Sequence, residues 1–252
     1  MKRDNSITRR FLAEAGIGSG MQVLEIGCGS GEVTLLLAEL VGPSGSVVAL
    51  DHSDDALAVA QHRIEEAGIT NVQWIAADIA GDLASMDGIP RGTFDALAGR
   101  RVLMYMRDPA AILRRLMPWL KGEGLVVFEE ADSTMVPART TPMAAHDKAT
   151  SWMRDMLVAE GANPAMGFAL PATLAQAGLR FERVRAEAAI QGQGTQFPLA
   201  ALLKLMQSRL VSAGIASEAE VGALAELVDS ERRDPTSVYV SDWSFCAWAR
   251  KS

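Results

Sequence analysis

The sequence predicts an α/β fold built on a mostly parallel sheet, and three observations carry that reading. A short apolar run, Val23-Leu24-Glu25-Ile26, breaks into Gly27-Cys28-Gly29-Ser30-Gly31 and resumes as a helix from Glu32 to Val41. A second apolar strand, Ser46 to Leu50, ends in Asp51, 20 residues past Gly31. Strands and helices then alternate as far as residue 130, the pattern of a sheet whose parallel strands are joined by crossover helices.

Composition sets the bounds. With 252 residues of which 49% are apolar, the chain can build one α/β domain with a sizeable core. A net charge of −7 speaks against a large nucleic-acid footprint, which needs a basic face. No run of 18 or more apolar residues is present, so no membrane span is expected. The opening MKRDNSITRR lacks an apolar stretch after its charges and does not read as a secretory signal. Cys28 and Cys246 make no disulfide framework, and His52, His62 and His146 have no zinc-type spacing. The expectation is a cytoplasmic, metal-free protein.

The elements follow in order. Residues 6–16 form a helix capped by Ser6 or Thr8 and ended by Gly16. The first strand is 22–26, and the helix 32–41 is stopped by Gly42-Pro43-Ser44-Gly45. Ser53-Asp54-Asp55 caps a helix over 54–67, with acids in its first turn and Gly68 at its end. Strand three is 72–77, leading into Asp78-Ile79; a loop with three glycines and Pro90 precedes strand four at 94–98. Asp108-Pro109 starts a helix to Leu120 with Ile112, Leu113, Leu116 and Trp119 on one face. Lys121-Gly122-Glu123-Gly124 turns it into strand five, 125–130.

A strand that turns through glycines into a helix N-terminus makes a ligand cradle, because glycine lets a ligand approach the backbone and the helix start offers unpaired N–H groups. The dinucleotide fingerprint is G-x-G-x-x-G. Here the spacing is G-x-G-x-G, and Glu32 stands where the last glycine would be. Carboxylates at Glu25 and Glu32 disfavour a pyrophosphate and suit a cofactor carrying an amine and a sulfonium. VLEIGCGSG resembles motif I of the class I S-adenosylmethionine-dependent methyltransferases, and the acidic residues that follow in order strengthen the likeness over residues 21–130. The resemblance implies a Rossmann-like seven-stranded sheet with an antiparallel last strand, helices on both faces, and S-adenosylmethionine as cofactor. It places the cofactor against Glu25, Gly27, Cys28, Gly29 and Gly31. Asp51 would accept the ribose hydroxyls, and His52 would lie beside the ribose or adenine. Asp78 would accept from the adenine amino group, and the Ile79 N–H would reach the ring. Gly99 leaves room for the methionine backbone. The N-terminal arm, 1–20, would cover the cofactor or simply pack.

Beyond strand five the chain changes character. Residues 133–170 carry prolines, including Pro137, and a helix near 143–160 with Trp152, Met153, Met156 and Leu157 at helical spacing. Leu170-Pro171 opens a further helix ended by Gly178, and strand six spans 180–190. Two helices, 198–213 and 217–232, lie within the segment 192–236, before strand seven at 238–249. The segments 133–170 and 192–236 are candidate caps on a single domain whose cofactor core is 21–132.

Methyl transfer from a sulfonium needs alignment and exclusion of water more than it needs acid–base groups. The catalytic candidates are His146, suited to proton transfer near neutrality, Arg100 and Glu130. Arg100 could instead pair with an acid of the cofactor loop or with Asp108; Glu129, Glu130 and Asp132 could orient a hydroxyl or attract an amine. The expected partner is a small-molecule acceptor, with a homodimer left open and neither nucleic acid nor membrane involved. The runner-up is an S-adenosylmethionine-binding partner or sensor without transfer activity. An NAD oxidoreductase is disfavoured by the glycine spacing and Glu32.

Overall fold

The computed structural model describes residues 5–135, 138–192 and 199–252. Residues 1–4 of the arm, Pro137, and residues 193–198, with the expected helix start at 198, lie outside the described residues. The chain divides into two compact units. One holds residues 5–130, 167–185 and 245–252; the other holds 131–166 and 186–244.

The first unit is a seven-stranded sheet in the order β3-β2-β1-β4-β5-β9-β6. Its strands are β1 (Gln22–Ile26), β2 (Ser46–Asp51), β3 (Val72–Ala76), β4 (Phe94–Arg100), β5 (Leu120–Asp132), β6 (Arg180–Glu187) and β9 (Trp243–Arg250). β1 pairs in parallel with β2 and β4, β2 with β3, and β4 with β5. One strand of the sheet is antiparallel, and helices flank the sheet. The buried faces of β1, β2 and β4 read as nearly continuous Val, Leu and Ala, as parallel strands covered on both faces must. Five helices serve this unit: α1 (Ser6–Ala15), α2 (Glu32–Val41), α3 (Asp54–Glu66), α4 (Pro109–Leu116) and α6 (Met166–Gln176). Phe11, Leu12 and Ala15 of α1 share a core cluster with Leu36 and Leu37 of α2 and with Val23, Ala96 and Val127 of the sheet.

Several boundaries differ from the sequence expectation, each for a local reason. The cap position of α1 is Asn5, not Ser6 or Thr8. Helix α4 ends at Leu116 rather than Leu120, because Pro118 allows only a 3-10 turn over Met117–Trp119. The KGEG segment is no separate turn. It lies inside β5, where Leu120 pairs with Phe94 and Leu125 with Ala96, and the surplus residues form a bulge at Glu123, φ +59. Strand β4 runs on through Gly99 and Arg100, which pair with Phe128 and Glu129. Helix α6 begins at Met166, with Pro171 inside it rather than at its start.

The second unit is helical: α5 (Ala144–Ala159), α7 (Leu199–Leu205), α8 (Gln207–Ser212) and α9 (Glu218–Arg233). Helix α9, started by a reciprocal Ser217–Glu220 capping box, packs against the other three. The Trp and Met stripe of α5 turns inward: Met156 is buried, and Trp152, Met153 and Leu157 pack on a core that includes Leu203, Leu210, Val221 and Leu224. The single helix expected over 198–213 is two, divided at Met206. The strand expected over 238–249 is also two. β8 (Tyr239–Val240) pairs antiparallel with β7 (Ile190–Gln191), and β9 starts only at Trp243. Between them, Ser241 exchanges hydrogen bonds with Ala189: the Ser241 N–H donates to the Ala189 carbonyl at 2.9 Å, and Ser241 Oγ accepts from the Ala189 N–H at 3.0 Å.

Candidate active site

The glycine loop sits at the carboxyl end of β1, beside the ends of β2 and β4. Gly27, Gly29 and Gly31 all adopt left-handed φ, at 64°, 52° and 77°. At Gly27 the constraint is doubled, since a Cβ there would lie 2.6 Å from Val102 Cγ2. At Gly31, the N-cap of α2, a Cβ would lie 2.9 Å from the Ala60 Cβ, so the loop and α3 pack at glycine distance. Gly29 is different: nothing stands within 4 Å of its missing Cβ. The loop is therefore closely packed beneath its first and last glycines and open above the middle one, which is the shape of a cradle.

Asp51 ends β2 and reaches back into the loop. Its Oδ2 accepts the Gly29 N–H at 2.8 Å and its Oδ1 accepts the Ser53 N–H at 3.0 Å. The residue is 8% exposed, so its carboxylate is tethered and largely buried. His52 Nδ1 stands 3.4 Å from Asp51 Oδ1, with its side chain 78% exposed. Glu25, near the end of β1, is buried. Its Oε2 meets no hydrogen-bond donor among the described residues. Burial lifts its pKa to about 7, against the opposing pull of the Arg100 charge. Cys28 is buried in the core and its N–H donates to the Leu50 carbonyl at 3.0 Å; burial pushes the thiol up, so it holds the loop to β2 rather than offering a thiolate.

The segment after β3 is held from two sides. Asp78 is exposed and its Oδ1 accepts the Ala80 N–H at 2.9 Å, while Ile79 is buried. Arg115 of α4 donates to the carbonyls of Ile79, Ala80 and Gly81. Sequence reasoning missed Arg115, because its partners lie 34 to 36 residues away and no motif links them.

Three assigned residues are enclosed by packing. The space at Gly99 is filled from inside: a Cβ there would meet Phe128 at 2.6 Å, Val102 at 3.0 Å and the Ile26 carbonyl at 3.1 Å. Its smallness serves packing of β4 between β1 and β5, with Val102 wedged against both Gly27 and Gly99. Glu130 is 0% exposed, and its Oε1 accepts the N–H groups of Val102 at 3.0 Å and Leu103 at 2.8 Å. It pins the backbone after β4, where Arg101 has φ +56, and does not face solvent. Burial raises its pKa to about 7, against those N–H groups. His146 is 3% exposed inside the helical unit, its ring 4.1 Å from that of Tyr239. Burial lowers its pKa, and the ring is enclosed by the helical unit rather than open to solvent. Arg100 is also committed, to Glu32 at 2.6 Å and to Asn5 and Thr8. The remaining acids of β5 are buried as well: Glu129 Oε2 has no hydrogen-bond partner among the described residues, and Asp132 Oδ1 accepts from Thr134.

A family model described as a methyltransferase domain matches residues 17–183. The chain belongs to this methyltransferase domain family. Curated relatives match over part of their length. An arsenite methyltransferase of Aquipseudomonas alcaligenes is 36% identical over 115 residues, covering 44% of this chain and 33% of that protein. A demethylmenaquinone methyltransferase of Lactococcus lactis is 29% identical over 119 residues, covering 47% and 45%. A ubiquinone/menaquinone biosynthesis C-methyltransferase of Ectopseudomonas mendocina is 35% identical over 127 residues, covering 48% and 46%. The chain thus spans a third to a half of the length of these relatives. Among solved structures, a SAM dependent methyltransferase from Aquifex aeolicus superposes with a TM-score of 0.57 at 16% identity, covering 96% of this methyltransferase-domain chain and 87% of that one. A [4+2]-cyclase, SpnF, superposes with a TM-score of 0.59 at 17% identity, covering 98% and 81%. At such identities the likeness is one of fold, and the second neighbour, named as a cyclase, shows that the fold is not tied to one reaction.

The loop geometry fits S-adenosylmethionine. A cradle open at Gly29, the tethered carboxylate of Asp51 beside it and an unpartnered buried oxygen on Glu25 fit a group that brings hydroxyl and ammonium donors.

Proposed function

We propose that this protein transfers a methyl group from S-adenosylmethionine to a small organic acceptor. The observation that carries the cofactor half is the Asp51 carboxylate clasping Gly29 across an open glycine cradle. Each Asp51 oxygen takes one backbone N–H, which leaves lone pairs for ribose hydroxyls. Glu25 is assigned to the ammonium group, Gly27, Cys28, Gly29 and Gly31 to the loop backbone, and His52 to the ribose edge. Asp78 and the Ile79 N–H are assigned to adenine, and Gly99 keeps at most a backbone contact.

Bound S-adenosylmethionine would supply a methyl group already activated by its sulfonium. The chain's contribution is then to orient and to exclude water. With Glu130 and His146 sealed into the structure, no general base is assigned, which suits an acceptor that is nucleophilic without one. The relatives' names include arsenite and quinone-precursor methylation. Trivalent arsenic prefers thiolates, whereas both cysteines here are buried with their thiols pushed up; that favours an organic acceptor. The segments 133–170 and 192–236 are proposed to select it, with an aromatic or lipophilic metabolite as the expected class.

Calorimetry with S-adenosylhomocysteine, with NAD as control, tests the cofactor. Binding of the first alone supports it, and preference for NAD overturns it. Release of S-adenosylhomocysteine across a panel of phenols, quinols and amines then tests transfer. Binding without turnover on any acceptor would move the protein to the non-catalytic partner reading.

A further inference from the structure

Arg100 is the last residue of β4, and its side chain is only 13% exposed. Its guanidinium serves three acceptors from two helices. Nη2 donates to Glu32 Oε2 at 2.6 Å, and Nη1 donates to Asn5 Oδ1 at 2.9 Å and to Thr8 Oγ1 at 3.0 Å. Glu32 is the first residue of α2, directly after Gly31. Asn5 is the N-cap position of α1, where it makes no side-chain cap, and Thr8 is buried in the first turn. Asn and Thr at a helix start ordinarily cap it; here both oxygens are turned to the guanidinium instead. Three further charged ties of α1, Arg9 to Glu39 and Glu14 to Arg183 and Arg185, are more exposed and correspondingly weak.

We propose that Arg100 is a positioning residue that couples the docking of α1 to the geometry of the glycine loop, by holding Glu32 with one arm of its guanidinium and the start of α1 with the other; this rests on the cofactor reading given above. A planar fork can hold such divergent acceptors, and a lysine ammonium cannot reach them in the same geometry. If α1 lifts, a nearly buried guanidinium loses two of its acceptors, and its hold on Glu32 at the loop must readjust. Coupling of this kind is reciprocal. A ligand that orders the loop favours docked α1 by the same factor by which docked α1 favours the ligand.

Trypsin reads α1 directly, because Arg9 and Arg10 are exposed cleavage sites within it. In the wild type, saturating S-adenosylhomocysteine is expected to slow cleavage at these sites. In Arg100→Lys the protection is expected to disappear, with affinity for S-adenosylhomocysteine falling about tenfold. The KM for the cofactor should rise more than kcat falls, the mark of a residue acting on binding through the loop. The pair Asn5→Ala with Thr8→Val keeps both Arg100 and Glu32 and serves if Arg100→Lys fails to fold; it should lose the protection as well. Unchanged protection and affinity in both variants would overturn the coupling while leaving the cofactor assignment in place. Failure of the wild type to bind S-adenosylhomocysteine would instead remove the assignment itself. Binding without any protection of Arg9 and Arg10 would overturn the coupling alone.

Discussion

Asp51 and Glu130 do the same job in two places, and their difference separates a ligand site from a brace. Each carboxylate ends or nearly ends a strand of the same sheet and accepts backbone N–H groups of a neighbouring loop. Asp51 holds Gly29 and Ser53, and Glu130 holds Val102 and Leu103. Asp51 is 8% exposed and lies beside a glycine with open space above it. Glu130 is 0% exposed, and burial raises its pKa to about 7. An acid at a strand's carboxyl end is therefore not by itself evidence of chemistry: Glu130 spends an oxygen on two backbone N–H groups and is wholly enclosed, whereas Asp51 lies against the open side of the glycine loop.

The sharpest break in that comparison would come from Asp51→Ala. Losing a carboxylate proposed to accept two hydroxyls should weaken S-adenosylhomocysteine by about a thousandfold in calorimetry. An effect under about tenfold would make Asp51 a brace like Glu130. Glu130→Ala orphans two buried N–H groups and should cost about 2–4 kcal/mol in urea denaturation. Affinity measured on the folded fraction should stay within about threefold of the wild type; loss of binding at retained stability would restore Glu130 to the site.

A pH titration of stability comes next in size. Glu25 and Glu130 are held near 7 in the folded protein and titrate at 4.5 when exposed. The folded state therefore binds more protons than the unfolded state between those values. Their contribution to stability is present below pH 4.5 and is lost as the pH rises towards 7. Glu25→Gln should remove Glu25's share, at most about 3 kcal/mol, and flatten that part of the curve. An unchanged slope would show that Glu25 is ionised throughout.

The smallest effect is expected at His146. Replacement by Phe keeps a ring against Tyr239 and should change turnover by less than about threefold. A drop of about a hundredfold or more, with a lost pH limb near neutrality, would return His146 to the role of base.

The sequence determined what depends on neighbours along the chain. The positive-φ glycines, the acid 20 residues past Gly31, the Ser53 and Asp108 caps and the Ser217 helix start can be read without a third dimension, because each is fixed within a few residues or by one strand–helix unit. Tertiary structure decided the rest. Whether Gly99 faces a ligand or Phe128, whether Glu130 faces a substrate or the Val102 N–H, and whether Arg100 meets an acceptor or the start of α1 are settled by pairings between residues 28 to 95 positions apart. Side-chain type fixes what such a group can bind, but only the packing around it fixes which of its partners is within 3 Å and which of its lone pairs is left over.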